Sequence, residues 1–354
     1  MYFVIAVFLF LLGILEIIYP KFKFLFLRIS ILLYFCIIGF NRWSPDYENY
    51  IRIFEKAEIY LKYKSYEIGF LKLIDILKKI SINFYGFQII LSLIIIISLY
   101  KLLKNKSRYP VCCLSLYYLI PLYPNIVQLR QFLAFSFLYL ALSLNLNSRM
   151  KGLYTIVTIF FHKSMFLILP IFYLKKKKIF KNTKKYLFIV NLIFIFFIFL
   201  NIFNVEKIVY LTLKFFGLTR YMESSLNQKT LIGDLFLIFP FFILSNIYFI
   251  FYSDLDKNDL EIVNYQKYIF IVFIFLLFYR DIIRFVYNIF FFYVIFYLNN
   301  LFYKKSKLKK IYIFLCCYIV MIIIYYYQFL YINNGGYLEI ISKTITTNGI
   351  FMLF

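Results

Sequence analysis

Three side chains in this sequence are of types that move protons. His162 is the only histidine, and it interrupts the apolar segment 152–174. An imidazole titrates near neutral pH and serves as a general acid or base. Asp46 and Glu67 lie in the first long polar connection, where a carboxylate can accept the proton of a hydroxyl group. We therefore take His162, Asp46 and Glu67 as candidate catalytic residues.

Each candidate also has a structural interpretation. A lone histidine is often a hydrogen-bonded core residue. Asp46 and Glu67 stand at predicted helix starts, where a carboxylate complements the helix dipole. A zinc site is not predicted, because one histidine without further ligands cannot hold the metal.

Arginine is the other informative residue type. Lys, Asn, Ile, Phe and Tyr are heavily used, as expected from an AT-rich bacterial genome, whereas only nine of the 40 basic residues are arginine. A guanidinium binds phosphate oxygens through two parallel hydrogen bonds. The pattern therefore favours an anionic lipid headgroup as ligand. The candidate binding residues are Arg42, Arg130, Arg280, Arg284, Gln128 and Gln131.

The arginines too have structural alternatives. Arg42 fits a side chain that reaches to the membrane interface, and Arg130 fits a structural ion pair. Arg280 and Arg284 lie four residues apart on one helical face, where Asp281 can pair with either.

Motifs for bound cofactors are absent from the sequence. It has no Walker A loop, no glycine-rich nucleotide fingerprint and no G-x-S-x-G elbow. No D-x-D pair or acidic cluster faces outward in the predicted topology, and the five cysteines lie in apolar runs without a C-x-x-C pair. We expect a reaction that uses no metal and no cofactor.

Composition decides which elements must position these residues. The chain has 354 residues, of which 64% are hydrophobic and 24% aromatic, with a net charge of +24. A soluble domain is about 45–50% apolar, and the apolar runs here approach the ~20 residues that a helix needs to cross a bilayer. These features exclude a soluble enzyme, a DNA-binding protein and a disordered tail. They predict an all-α polytopic membrane protein, one transmembrane domain over 1–354, with about 10–11 transmembrane helices.

The apolar runs give the predicted order of elements. Spans are expected near 2–18, 24–40, 84–103, 109–124, 126–145, 186–203, 231–252, 262–279, 282–301 and 311–332. Two polar connections, 41–83 and 204–230, are predicted to be extracytoplasmic. The first should hold an amphipathic helix over 45–59 and a second one to about residue 80. For the helix over 45–59, Ser44 is predicted as N-cap, Pro45 as first helical residue, and Tyr47, Ile51 and Phe54 as one face.

The segment 152–174 decides the orientation of the rest. If it is a helical hairpin, the cytoplasmic loops hold more Lys and Arg residues than the outer loops do. If it crosses the membrane once, the outer loops hold more of them. The positive-inside rule therefore favours the hairpin, although 23 residues also suffice for a single span. With the hairpin, the candidate residues converge at the outer side, where ionisable groups at membrane depth usually line a site.

As an ordered set, these motifs resemble the EpsG family, the Wzy-like polymerases of bacterial exopolysaccharides and O-antigens. The matching motifs are Arg42-x-x-x-Asp46-Tyr47, Glu67-x-Gly69-Phe70, Gln128 with Arg130-Gln131 and Ala134, Phe161-His162-Lys163-Ser164, and Arg284. The C-terminal segment with Asn333-Asn334-Gly335-Gly336 departs from the pattern.

The resemblance implies a metal-independent glycosyltransferase similar to the multi-span GT-C-like enzymes. It would act in the bacterial inner membrane as a multi-pass protein, on oligosaccharide repeat units carried by undecaprenyl pyrophosphate at the outer leaflet. Arg130, Arg280 and Arg284 would stabilise the departing pyrophosphate. His162, or Asp46 or Glu67, would activate the acceptor hydroxyl.

The resemblance also implies partners, and other functions stay open beside it. A chain-length regulator and a flippase are the implied protein partners, and no nucleic acid is expected. A polysaccharide ligase shares the arginine chemistry. A flippase of lipid-linked oligosaccharide would need charges in both leaflets, and a membrane O-acyltransferase would need a histidine reached from the cytosol.

Overall fold

The computed structural model describes residues 2–63, 66–119, 122–144, 148–168, 297–303 and 305–326, with the single positions 188, 192, 288, 291, 294, 295 and 348. Every regular element in these residues is a helix, in agreement with the predicted all-α class. The chain divides into two compact units, Met1–Phe166 with Val294–Phe354, and Leu167–Tyr293. The predicted spans at 186–203, 231–252 and 262–279, most of the span at 282–301 and the connection 204–230 lie outside the described residues.

The described helices begin and end as follows. They are α1 (Tyr2–Ile18), α2 (Lys23–Gly39), α3 (Tyr47–Glu55), α4 (Ala57–Tyr63), α5 (Ile68–Lys79), α6 (Phe84–Lys106), α7 (Pro110–Leu119), α8 (Leu122–Val127), α9 (Leu129–Ser143), α10 (Ser148–Phe161) and α11 (Lys307–Tyr326), with 3-10 turns at Pro20–Phe22 and Lys163–Ile168. The predicted spans near 2–18, 24–40, 84–103 and 126–145 correspond to α1, α2, α6 and α9. The predicted span 109–124 is occupied by α7 and the start of α8.

The first amphipathic helix differs from its prediction. It begins at Tyr47, with Asp46 as the N-cap residue, because the Tyr47 N–H bonds the Ser44 carbonyl in a turn at 2.9 Å. The predicted N-cap at Ser44 and first position at Pro45 are therefore wrong. The helix ends at Glu55, and its buried residues are Tyr50, Ile53 and Phe54, so the predicted face is rotated by part of a turn.

Two described stretches are long and apolar enough to cross a membrane, namely Pro20–Gly39 and Phe84–Lys106. Shorter apolar helices of 10–17 residues accompany them. Large apolar side chains point outward, among them Val4 at 69% exposure and Leu32 at 63%. Water disfavours such a surface, whereas lipid tails solvate it.

Polar contacts mark two opposite ends of the bundle, since successive long helices reverse direction. At one end, Glu16 near the end of α1 meets the start of α7, and the Asn105 side chain donates to the Ser143 carbonyl. At the other end, the Gln88 side chain donates to the carbonyls of Ile38 and Asn41. We call the first of these ends the Glu16 end. We call the second the Glu67 end, after a residue described in the next subsection.

Aromatic side chains hold the short helices against α6 at the Glu67 end. Tyr50 of α3 and Phe87 of α6 both pack edge-on against Phe70 of α5, with ring centroids 6.1 Å and 5.7 Å away. Phe54 contacts the same Phe87 ring at 5.4 Å. Edge-to-face pairs of this kind stabilise a fixed arrangement of the helices that carry them. These aromatic contacts therefore hold the first turn of α5 in place against α3 and α6.

Candidate active site

Glu67 is the residue that immediately precedes α5. Its backbone is extended, with φ −63° and ψ 127°, and its carboxylate makes no capping bond to its own helix. Only 7% of the residue is exposed. A buried charge requires partners, and the helix itself supplies none to this side chain. Glu67 therefore depends on partners from distant parts of the chain.

Those partners are two other candidates from the sequence. Glu67 Oε2 accepts a hydrogen bond from Arg130 Nη1 at 2.6 Å, and Glu67 Oε1 lies 2.9 Å from His162 Nδ1. Arg130 lies in the first turn of α9, and His162 directly follows the end of α10. Three helix termini thus meet at one carboxylate. We name Glu67, Arg130 and His162 the Glu67 cluster.

The charges in this cluster set the protonation of Glu67. Burial raises the pKa of the Glu67 carboxyl, but the His162 hydrogen bond and the Arg130 charge outweigh it and lower the pKa to about 2. At neutral pH Glu67 is therefore ionised. An ionised carboxylate can only accept hydrogen bonds, so His162 Nδ1 carries the hydrogen and donates it. The hydrogen bond from Nδ1 therefore fixes which ring nitrogen carries the hydrogen in the neutral imidazole.

Tyr50 connects Asp46 to this cluster. The Tyr50 hydroxyl accepts the backbone N–H of Arg130 at 3.4 Å, one of the donors that the start of α9 leaves without a helical partner. Burial raises the pKa of Tyr50, the Arg130 charge lowers it, and the Asp46 charge raises it. Asp46 precedes Tyr50 by one turn of α3. It reaches the cluster electrostatically, through Tyr50.

Arg130 is held on two further sides. Its guanidinium lies over the Tyr66 ring, 4.9 Å from the centroid. Its Nε hydrogen has no hydrogen-bond partner among the described residues. The ion pair that the sequence left open for Arg130 is present, and a phosphate-binding role for this residue stays a prediction.

The other binding candidates have different positions. Arg42 stacks on the Tyr85 ring at 3.9 Å. Gln128 is the N-cap residue of α9, with its backbone carbonyl accepting from Phe132 at 2.9 Å, and Gln131 is buried in the first turn of the same helix.

Two arginine candidates and the metal question stay as predictions. Arg280 and Arg284 lie outside the described residues. Within the described part of the chain, no group of three or more His, Cys, Asp or Glu side chains could hold a metal ion. The expected independence from metals stays a prediction.

Sequence reasoning missed three residues of this arrangement. Tyr50 and Tyr66 contact Arg130, and Gly69 lies where α5 approaches α10. The signal for Tyr50 was its position four residues after Asp46, on the same helix face. The signal for Gly69 was its place in the Glu67-x-Gly69-Phe70 motif, two residues after an acid at a predicted helix start.

Comparison with family models gives a match to the model described as EpsG family, over residues 24–342. That range covers most of the 354-residue chain. The chain belongs to the EpsG family. Curated proteins and solved structures gave no match.

EpsG membership confirms the resemblance drawn from the motifs. It identifies the chain as a membrane protein of the exopolysaccharide-polymerase type, consistent with its outward apolar side chains. The matched range includes all three residues of the Glu67 cluster, and it also includes Arg42, Arg280 and Arg284. In this EpsG protein, Glu67 of the Glu67-x-Gly69 motif and His162 lie in contact, although they are far apart in sequence.

Proposed function

We propose that this EpsG protein polymerises oligosaccharide repeat units carried on undecaprenyl pyrophosphate, at the outer leaflet of the bacterial inner membrane, as a multi-pass protein. The growing chain is the donor, and a hydroxyl of the next lipid-linked repeat is the acceptor. The observation that carries this proposal is the Glu67–His162 hydrogen bond, because an ionised carboxylate there fixes the imidazole tautomer and stabilises the imidazolium that forms when His162 accepts a proton.

In the proposed step, the acceptor oxygen attacks the anomeric carbon of the donor sugar. The new C–O bond forms while the bond from that carbon to the pyrophosphate oxygen breaks. The leaving group, undecaprenyl pyrophosphate, takes the bonding electron pair. The proton of the acceptor hydroxyl passes to His162 Nε2. Glu67 keeps the imidazole in the required tautomer and stabilises the imidazolium that forms.

This assignment distinguishes the roles of His162 and Glu67, which the sequence left as alternatives for activating the acceptor hydroxyl. Glu67 is a poor base at neutral pH, because its pKa is about 2 and both its oxygens are occupied. We therefore assign proton acceptance to His162 and orientation to Glu67. Arg130 neutralises and anchors Glu67. Arg42, Arg280 and Arg284 are assigned to the pyrophosphate, where guanidiniums bind phosphate oxygens.

A strain without this protein tests the proposal. We expect single lipid-linked repeats to accumulate on the outer face, with long chains absent. Repeats trapped on the cytoplasmic face would instead indicate a flippase, and long chains left on lipid would indicate a ligase. Complementation with His162→Ala should fail to restore long chains, because loss of a general base costs about 10²–10⁴ in rate. Full restoration would remove His162 from the mechanism.

A further inference from the structure

Gly69 lies where α5 packs against the end of α10. A Cβ atom placed on Gly69 would lie 2.7 Å from the Phe160 carbonyl oxygen and 2.8 Å from the carbonyl carbon. Both atoms belong to backbone, which cannot rotate away as a side chain can. Any residue with a Cβ would therefore push the start of α5 away from the end of α10.

The two sides of this contact carry the hydrogen-bonded pair Glu67 and His162. Glu67 stands two residues before Gly69, and His162 stands two residues after Phe160. A displacement of α5 from α10 would thus lengthen the 2.9 Å bond between Glu67 Oε1 and His162 Nδ1. Misplacement of a catalytic group by about 1 Å can cost roughly 100-fold in rate.

We infer that Gly69 is a positioning residue, whose missing side chain lets α5 approach α10 closely enough for Glu67 to hold His162. This inference rests on the proposed function for its kinetic consequence, but its structural consequence can be measured separately. Helix propensity alone predicts the opposite outcome, since alanine is a better helix former than glycine.

The chain offers a matched control on α10 itself. Gly152 lies on that helix, and a Cβ atom there would meet no heavy atom within 4 Å. Gly152→Ala therefore makes the same chemical change at a helical glycine without the contact. A difference between the two variants isolates the approach of the helices.

The first readout uses the single histidine of the chain. Full-length protein with ¹⁵N-labelled histidine, purified through a tag that contains no histidine, gives imidazole signals from His162 alone. We expect wild type and Gly152→Ala to show a hydrogen-bonded Nδ1–H. Gly69→Ala should lose the hydrogen-bonded Nδ1–H signal, as Glu67→Ala should, because the latter removes the acceptor. Retention of that signal in Gly69→Ala would overturn the inference.

The second readout is kinetic and uses purified lipid-linked repeat units. We expect Gly69→Ala to lower kcat roughly 10- to 100-fold with little change in KM, and to have no further effect in a His162→Ala background. The same fractional loss in both backgrounds would contradict a role through His162. Absence of Gly69→Ala from the membrane, with Gly152→Ala present, would overturn positioning in favour of a folding role. If the signal changes but polymerisation does not, positioning stands and the proposed function fails.

Discussion

Two glutamates are buried in the described part of the chain, Glu16 with 1% of its surface exposed and Glu67 with 7%. Glu16 accepts hydrogen bonds from backbone N–H groups, from Val111 to both its oxygens at 3.1 Å and from Cys112 at 2.9 Å. Glu67 instead bonds two side chains, Arg130 and His162. Burial is similar, but the kind of partner differs.

The difference in partners indicates that Glu16 is a structural carboxylate, whereas Glu67 is placed to affect proton transfer. Val111 and Cys112 stand in the first turn of α7, whose N–H groups have no partners inside the helix. Glu16 satisfies them from α1 and so fastens two helices together. Amide hydrogens do not take part in proton transfer at neutral pH, whereas an imidazole does. We therefore expect loss of charge at Glu67 to affect the reaction, and loss of the hydrogen bonds made by Glu16 to affect the fold.

The largest expected effect is that of Glu67→Gln on polymer formation. The amide keeps the shape of the side chain but cannot stabilise an imidazolium. We expect the initial rate of chain extension to fall by roughly 100-fold or more, measured with purified protein and lipid-linked repeats.

Glu16→Gln is the matched control for that change. One amide oxygen at the position of Glu16 Oε2 can still accept from Val111 and Cys112, which both bond that atom. We expect a rate close to that of wild type. Equal losses in the two variants would remove the distinction between the two carboxylates.

The next effect concerns the cation beside Glu67. Arg130→Gln leaves a buried carboxylate without its neutralising partner, so we expect a loss of about tenfold in rate, or roughly 1.4 kcal/mol, together with lower thermal stability. Arg130→Lys keeps the charge but not the planar, two-pronged guanidinium. Its rate should therefore lie between that of wild type and that of Arg130→Gln. Full activity of Arg130→Lys, with the same result for Arg284→Lys, would show that a point charge suffices.

A smaller effect is expected from Tyr50→Phe. The change removes one hydroxyl that accepts the Arg130 backbone N–H and leaves the ring packed on Phe70. A hydrogen bond contributes about 0.5–1.5 kcal/mol, so the rate should fall by about two- to tenfold. Activity equal to wild type would show that Arg130 is held without Tyr50.

The smallest effect is a pH dependence of stability. The pKa of Glu67 is lowered from 4.5 to about 2 in the fold, so ionised Glu67 stabilises the folded state above pH 4.5. That contribution declines as pH falls toward about 2. The difference in melting temperature between wild type and Glu67→Gln should therefore be constant near neutral pH and shrink below about pH 4.5. A difference that shrinks already between pH 8 and 6 would contradict the assignment.

The sequence predicted the individual members of the site better than their contacts. His162, Glu67 and Arg130 were identified because each interrupts an apolar pattern or begins a helix. The ion pair of Arg130 was only one alternative, since its acidic partner lies 63 residues away in the chain. The signal for Tyr50, its spacing from Asp46, was weak because tyrosine is abundant here, with 36 copies.

The sequence by itself determined the helical class, the apolar spans and the break at His162, because hydrophobic periodicity and helix termini are local properties of the chain. The tertiary structure decided which carboxylate holds His162 and which one fastens α7. The 95 residues between Glu67 and His162 are bridged by the packing of α5 and α9 against α10. That packing depends on side-chain volumes, including the lack of a side chain at Gly69. The hydrophobic periodicity of the sequence does not contain this information.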